Sequence, residues 1–191
     1  MSLFKRIIIL IFKNNFSAGG FTLIELLVST FIITLMSGIF IANYHSANSR
    51  SALTLAAQKL ASDIRIAQSY SLGSLVFGVD NIPQGGWGLY AADLNNSYII
   101  FADDNGNYNY DLGEENSSQG GKIINLPSGI LIDSIIINSL PENYINLVFL
   151  PPDPIVYINS EISKNAQIRL TDGSSNKTVK VNFFGLVEVM D

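Results

Sequence analysis

From Phe21 to Ala42 the chain runs for 22 residues with a single charge, Glu25. At about 1.5 Å of rise per residue this is roughly 33 Å of helix, enough to cross a hydrocarbon layer of about 30 Å. Nothing else in the 191 residues limits the fold so strongly. Ahead of the run stand Lys5, Arg6 and Lys13 with no acid. Positive charge placed there holds an N-terminus on the cytoplasmic side. A cleaved secretory signal ends in small residues after its apolar part, whereas here the small pair Gly19-Gly20 comes before it. The shorter apolar run from Ile7 to Phe12 is too brief to span anything.

Glu25 has two compatible readings. Thr22 as N-cap with Glu25 three residues on forms a capping box, each side chain serving free backbone N–H groups at a helix start. A charge at mid-bilayer also costs roughly 2.5–3.5 kcal/mol, so an intramembrane carboxylate calls for a partner. Cleavage after Gly20 would put a new α-amino group on Phe21, about one helical turn from Glu25. In an assembly, the amine of one subunit can meet the carboxylate of its neighbour.

The run GGFTLIELLV, Gly19 to Val28, resembles the prepilin signature of type IV pilins and type II secretion pseudopilins. In that family a basic leader ends in Gly, Phe follows, and Glu stands fifth in the mature chain. The resemblance implies cleavage between Gly20 and Phe21 by a prepilin peptidase, N-methylation of Phe21, and filament assembly through Glu25. It implies a single-pass protein of the bacterial inner membrane, with its C-terminal domain outside the cytoplasm. The partners it implies are the peptidase, other pilin or pseudopilin subunits and membrane lipid. Many relatives carry a proline in the membrane half; this chain has none before Pro83, which leaves Gly38 as the only obvious breaker.

Beyond Ala42, apolar residues recur at Leu53, Ala56, Ala57, Leu60, Ile64 and Ala67, spacings of three and four that mark one helical face. Lys59, Ser62, Asp63 and Arg65 fall off that stripe. Gly73 is the expected stop, through a left-handed glycine after the helix end. Phe21 to Leu72 then makes about 78 Å of helix. After it the period changes to that of strands, at 74–79, 87–91, 97–102, 122–126, 130–137, 145–150, 155–158, 166–171, 178–184 and 186–190. Clusters of Gly, Pro, Asn and Asp separate them, and the turn from Thr171 to Lys177 reads as a hairpin.

The expected fold is therefore α+β and pilin-like. It has a basic leader (1–20), a membrane-spanning half-helix (21–42) and an amphipathic half-helix (43–72), packed on an antiparallel β domain (73–191). This layout, with a GW strand, an acidic Asn-rich loop and paired C-terminal strands, resembles the pseudopilin H and FimT-like branch.

That loop, Asp103 to Glu115, carries oxygen-bearing side chains at the EF-hand spacing: Asp103, Asn105, Asn107, Asp111 and Glu114, with Asn109 placed to offer its carbonyl. This suits Ca2+. Against it, Tyr108 stands where the sharp turn wants glycine, and the flanks read as strands. The other reading is a solvated turn, for which Asn, Gly and Asp are suited. Trp87 and the tyrosines at 90, 98, 108 and 110 read either as an aromatic binding surface or as core and cross-strand pairs.

No cysteine is present, so disulfides and thiolate metal sites are excluded, and one histidine, His45, leaves no His cluster. No nucleophile–base spacing supports catalysis, and the chain reads as the substrate of an enzyme, not an enzyme. The net charge of −5 falls to −8 without the first 20 residues, which disfavours nucleic acid. A DNA-capturing minor pilin would need a basic patch, and its candidates Lys164, Arg169, Lys177 and Lys180 are diluted by acids. A structural minor pilin or pseudopilin is thus the leading expectation. The alternatives are the DNA-binding minor pilin and an unprocessed single-pass anchored protein.

Overall fold

The computed structural model describes residues 20–78, 81–115, 120–151 and 155–190, without the side chains of 42–47. The basic leader residues Lys5, Arg6 and Lys13 and the side chain of His45 lie outside that description. The protein is α+β: an N-terminal helix, α1 (Leu23–Leu72), and a C-terminal antiparallel β domain. The chain divides into two compact units between Tyr44 and His45.

In the first unit, α1 starts after Thr22, whose hydroxyl accepts a hydrogen bond from the Glu25 N–H at 3.3 Å. It continues through Gly38 without a break. None of the side chains from Leu23 to Ile41 is buried, and this is the one described helix long and apolar enough to cross a membrane.

In the second unit, the expected stripe is buried throughout: Leu53, Ala56, Ala57, Leu60, Ile64 and Ala67, joined by Ala61. Asp63 departs from expectation, since it too is buried. Its two carboxylate oxygens are both used. Tyr98 donates its hydroxyl to one at 2.7 Å, and Lys59, one turn earlier on α1, reaches the other. Burial, reinforced by this bond to Asp63, pushes the Tyr98 hydroxyl well above the ordinary tyrosine range. A position polar by composition is thus interior because a strand residue supplies its donor.

The end of α1 also differs from the expected glycine stop. Leu75 N–H donates to the Tyr70 carbonyl and Ser74 N–H to that of Ser71, at 2.9 and 3.0 Å. That is the six-to-one and five-to-two pair that closes a Schellman motif. The left-handed residue is Ser74 (φ 50°), one place after Gly73.

Among the described residues the β domain holds two five-stranded sheets with every pairing antiparallel. The first has the order β3-β2-β1-β6-β7, from β1 (Gly86–Ala92), β2 (Ser97–Asp103), β3 (Lys122–Asn125), β6 (Tyr144–Leu150) and β7 (Ile155–Ile158). The second has the order β10-β9-β8-β4-β5, from β4 (Leu131–Ile137), β5 (Leu140–Glu142), β8 (Ala166–Thr171), β9 (Asn176–Val181) and β10 (Val187–Met190). Alternation sends Trp87, Leu89 and Ala91 of β1, and Ile145, Leu147 and Phe149 of β6, into the core with the α1 stripe. From the other sheet come Ile132, Ile135, Ile168, Leu170, Val179 and Val181.

Two strand expectations need correction, and one strand was not foreseen. Residues 74–78 form no strand, only an isolated bridge from Phe77 to Asn81, and Val79 is outside the description. The reason is Trp87, whose ring is flanked edge-on by Tyr70 and Phe77 and whose indole N–H is bound to the Leu75 carbonyl at 2.9 Å. These contacts tie the segment to the helix end. β5 was not expected, because three exposed residues containing Pro141 carry no periodicity. β9 ends at Val181, and Asn182 to Leu186 form a turn in place of the strand expected to Phe184.

The stripe makes a measurable difference between neighbours on one helix. Leu60→Ala removes a fully buried side chain and is expected to cost about 2–5 kcal/mol in thermal or chemical unfolding. Leu55→Ala, on the exposed face, should stay within about 0.5 kcal/mol of the parent. Equal losses would contradict the buried assignment.

Candidate functional site

Two places carry the residues singled out from the sequence. The first is the start of α1. Gly20 is open, with nothing near the position a Cβ would take, and Phe21 is 76% exposed. The bond from Glu25 N–H to Thr22 forms one half of the capping box.

Every other polar side chain from Leu23 to Ile41 is satisfied by its own helix. Ser29 donates to the Glu25 carbonyl (2.7 Å), Thr30 to Leu27 (3.0 Å), Thr34 to Thr30 (2.8 Å) and Ser37 to Ile33 (2.7 Å). Such back-bonding is what a hydroxyl needs where water is absent. Glu25 is the exception: among the described residues its carboxylate has no hydrogen-bond or ion-pair partner. The span therefore presents one unsatisfied charge to whatever surrounds it.

The second place is the Asn-rich loop. Asp103 ends β2 and is fully buried, and Glu114 is nearly so. Asp103 accepts N–H bonds from Gly106 (2.8 Å) and Asn107 (3.2 Å) on one oxygen and from Tyr108 (2.7 Å) on the other. Glu114 accepts from Asp104 (3.1 Å) and Asp111 (2.9 Å), one on each oxygen. The two carboxylates thus hold the loop's main chain from inside. At the third, Asp111, a single oxygen lies 2.7 Å from the amide nitrogens of both Asn105 and Asn107. Asn109 reaches outward instead, to Ser160 and Asn146. Among the described residues, no three carboxylate or imidazole groups lie close enough together to hold a metal ion. Tyr108, in the place that wants glycine, does take the left-handed conformation (φ 62°), and its ring stacks on Tyr157 at 3.9 Å.

Burial pushes the Glu114 carboxyl up to about 7, helped by the charges of Asp103 and Asp111 and opposed by its two N–H donors. Burial likewise holds Asp103 above the usual carboxylate range, against the pull of three N–H bonds.

The loop lies over the outer face of the first sheet. Phe101 and Val148 point away from the main core and are nevertheless fully buried. Tyr110 packs edge-on against Phe101 and stacks on Tyr90. Asn146, buried on β6, accepts the Tyr110 N–H and donates to Asn109. Asn146 and Ser160, which clamp the loop, and Asn159, which accepts the Asn146 N–H behind it, were not singled out by the sequence; an asparagine inside the apolar run Ile145–Leu150 was the available signal.

The remaining candidates scatter. Trp87 and Tyr98 belong to the core, so the five aromatic residues do not form one surface. Lys164 pairs with Glu161 at 2.9 Å, and Arg169 lies 3.8 Å from Asp133. Comparison with protein-family models, curated proteins and solved structures found no match.

The raised carboxyls set a pH dependence. A group whose pKa is higher folded than unfolded stabilises the fold below its unfolded value, and that contribution is lost as pH rises through the folded value. Glu114 therefore makes stability fall between pH 5 and 8. The lowered groups, Asp172 and Glu115, act below about pH 4.5 and leave this window alone. Thermal melts across pH 5–8 should show falling midpoints, with a shallower slope for Glu114→Gln. A midpoint that is flat or rises with pH would refute the assignment.

Proposed function

We propose that the protein is a structural filament subunit of the type IV pilin and pseudopilin class, cut after Gly20, held in the inner membrane by the first half of α1 and assembled through Glu25. The observation that carries this reading is the carboxylate of Glu25, without a partner among the described residues, in a span whose other polar side chains are all bonded internally. A lone membrane anchor gains nothing from such a charge, since it costs insertion energy. A subunit that docks its neighbour's Phe21 amine against it gains both a partner for the charge and an axial register. The buried stripe from Leu53 to Ala67 packs the second half of α1 into the core of the β domain. The DNA-binding alternative is less well supported, because two of its four basic candidates face acids.

A second reading concerns calcium at the Asp103–Glu114 loop. What favours it is the convergence of Asn105, Asn107 and Asp111 on one point; to offer its oxygen there, either amide would have to give up the N–H bond it accepts, from Asn107 to Asn105 or from Asn109 to Asn107. The left-handed Tyr108 adds the backbone form the EF-hand spacing asks for. Repeating the pH series in millimolar calcium distinguishes a cation site from a plain loop. A site that takes calcium raises the melting point and flattens the slope, whereas identical curves in calcium and in chelator refute it.

The assembly role is tested by Glu25→Leu in the full chain. The variant should be membrane-held and shortened like the parent, yet be largely absent from sheared or cross-linked filaments. Incorporation equal to the parent's would reduce Glu25 to a helix-capping position.

A further inference from the structure

On the outer face of the second sheet a groove of about 640 Å³ lies between the β4–β5 turn and the turn from Asn182 to Leu186. That volume is within the usual range for small-molecule sites. The second turn is rigidly placed. Gly185 is drawn into the core at φ 79°, where an added Cβ would lie 3.1 Å from Val156, and its N–H is bound to the Asn182 carbonyl at 2.9 Å. Anchoring Gly185 inward turns its predecessors outward. Phe184 is 69% exposed, Phe183 is exposed beside it with ring centroids 3.9 Å apart, and Leu186 extends the apolar wall. Two adjacent exposed phenyl rings on a fixed turn are a costly surface to leave in water, and contiguous patches of this kind mark binding sites.

The polar wall has an unusual bias. Asn138 gives its side-chain oxygen to the Asn165 N–H (2.9 Å), and Asn165 gives its own to the Phe183 N–H (3.3 Å). Asn182 accepts from both Phe184 and Leu186 N–H groups (3.0 and 2.9 Å). Each amide is thereby fixed in orientation, and three NH2 groups remain as donors with no acceptor among the described residues. Lys180 adds further donors, and Glu188, opposite it in the strand register and also lining the groove, offsets its charge in the sum. The groove is thus rich in donors and close to neutral.

Polyanions do not fit it, given that balance and a net charge of −5. Sugars do. Each hydroxyl offers two lone pairs for one hydrogen, and ring and glycosidic oxygens only accept. Pyranose C–H faces suit an aromatic wall, and an acetamido group adds a carbonyl acceptor with a methyl to set against Leu186. We propose that this groove binds a neutral N-acetylated oligosaccharide.

The test is calorimetric or NMR titration of the full chain in detergent micelles with triacetylchitotriose. Maltotriose, a thymidine oligonucleotide and an acetylated extended peptide serve as competing probes. The proposal expects saturable binding of the acetylated sugar, weaker binding of maltotriose, and at least about tenfold loss in Phe184→Ala and in Phe183→Ala, with melting points unchanged. Phe184 and Phe183 line the groove without packing into the core, so both variants should fold. No sugar binding, binding unaffected by both substitutions, or preferential binding of oligonucleotide or peptide would overturn it.

Discussion

One helix has to carry two opposite surface chemistries. From Leu23 to Ile41 it exposes apolar side chains on every side and returns its hydroxyls to its own carbonyls. From Leu53 to Ala67 it confines apolar residues to a stripe and buries them against two sheets. An all-round apolar helix is stable in lipid, and a striped one is stable against a protein core. The β domain depends on the second half, because a sheet with one apolar face must bury it against another element. Asp63 and Tyr98 sit at this junction. Their bond fixes the register of helix against β2, since a buried carboxylate without its donor costs far more than the bond contributes.

The outer faces of the two sheets are treated differently. On the first, Phe101 and Val148 would meet water, and the Asn-rich loop folds over them, held from within by Asp103 and Glu114 and from the side by Asn146. Gly88 allows it: an added Cβ would lie 2.9 Å from the Phe101 ring and 2.5 Å from the Leu147 carbonyl. On the second sheet no loop among the described residues closes over, and the outward turn bearing Phe183 and Phe184 leaves a groove. Chemistry at the surface follows from that contrast.

The parts legible in the sequence were those governed by periodicity. The stripe from Leu53 to Ala67 was visible because three-and-four spacing has few explanations, and most strands because alternation has one. The parts that escaped depend on partners distant in sequence. Asp63 looked solvent-facing because Tyr98, 35 residues on, was needed to make its burial tolerable. Ser74 replaces Gly73 as the left-handed residue because the two capping bonds are completed one position later. Phe183 and Phe184 continued an apolar run and looked like strand, until Gly185 and Asn182 closed a turn beneath them. At the candidate sites, spacing located the loop's oxygens but not their direction. Asp103 and Glu114 face main-chain N–H groups, an outcome decided by fold closure and not by the interval between residues.

The proposed subunit role requires Gly20 and Phe21 to be the point at which a leader is removed and the mature helix begins. Intact-mass spectrometry of the full chain, co-expressed with an active prepilin peptidase and extracted from membranes, tests it directly. The account predicts loss of residues 1–20, a new N-terminus at Phe21 carrying one added methyl group, and retention of the leader in Gly20→Ala. A full-length chain in the presence of a peptidase that processes a control prepilin would contradict it.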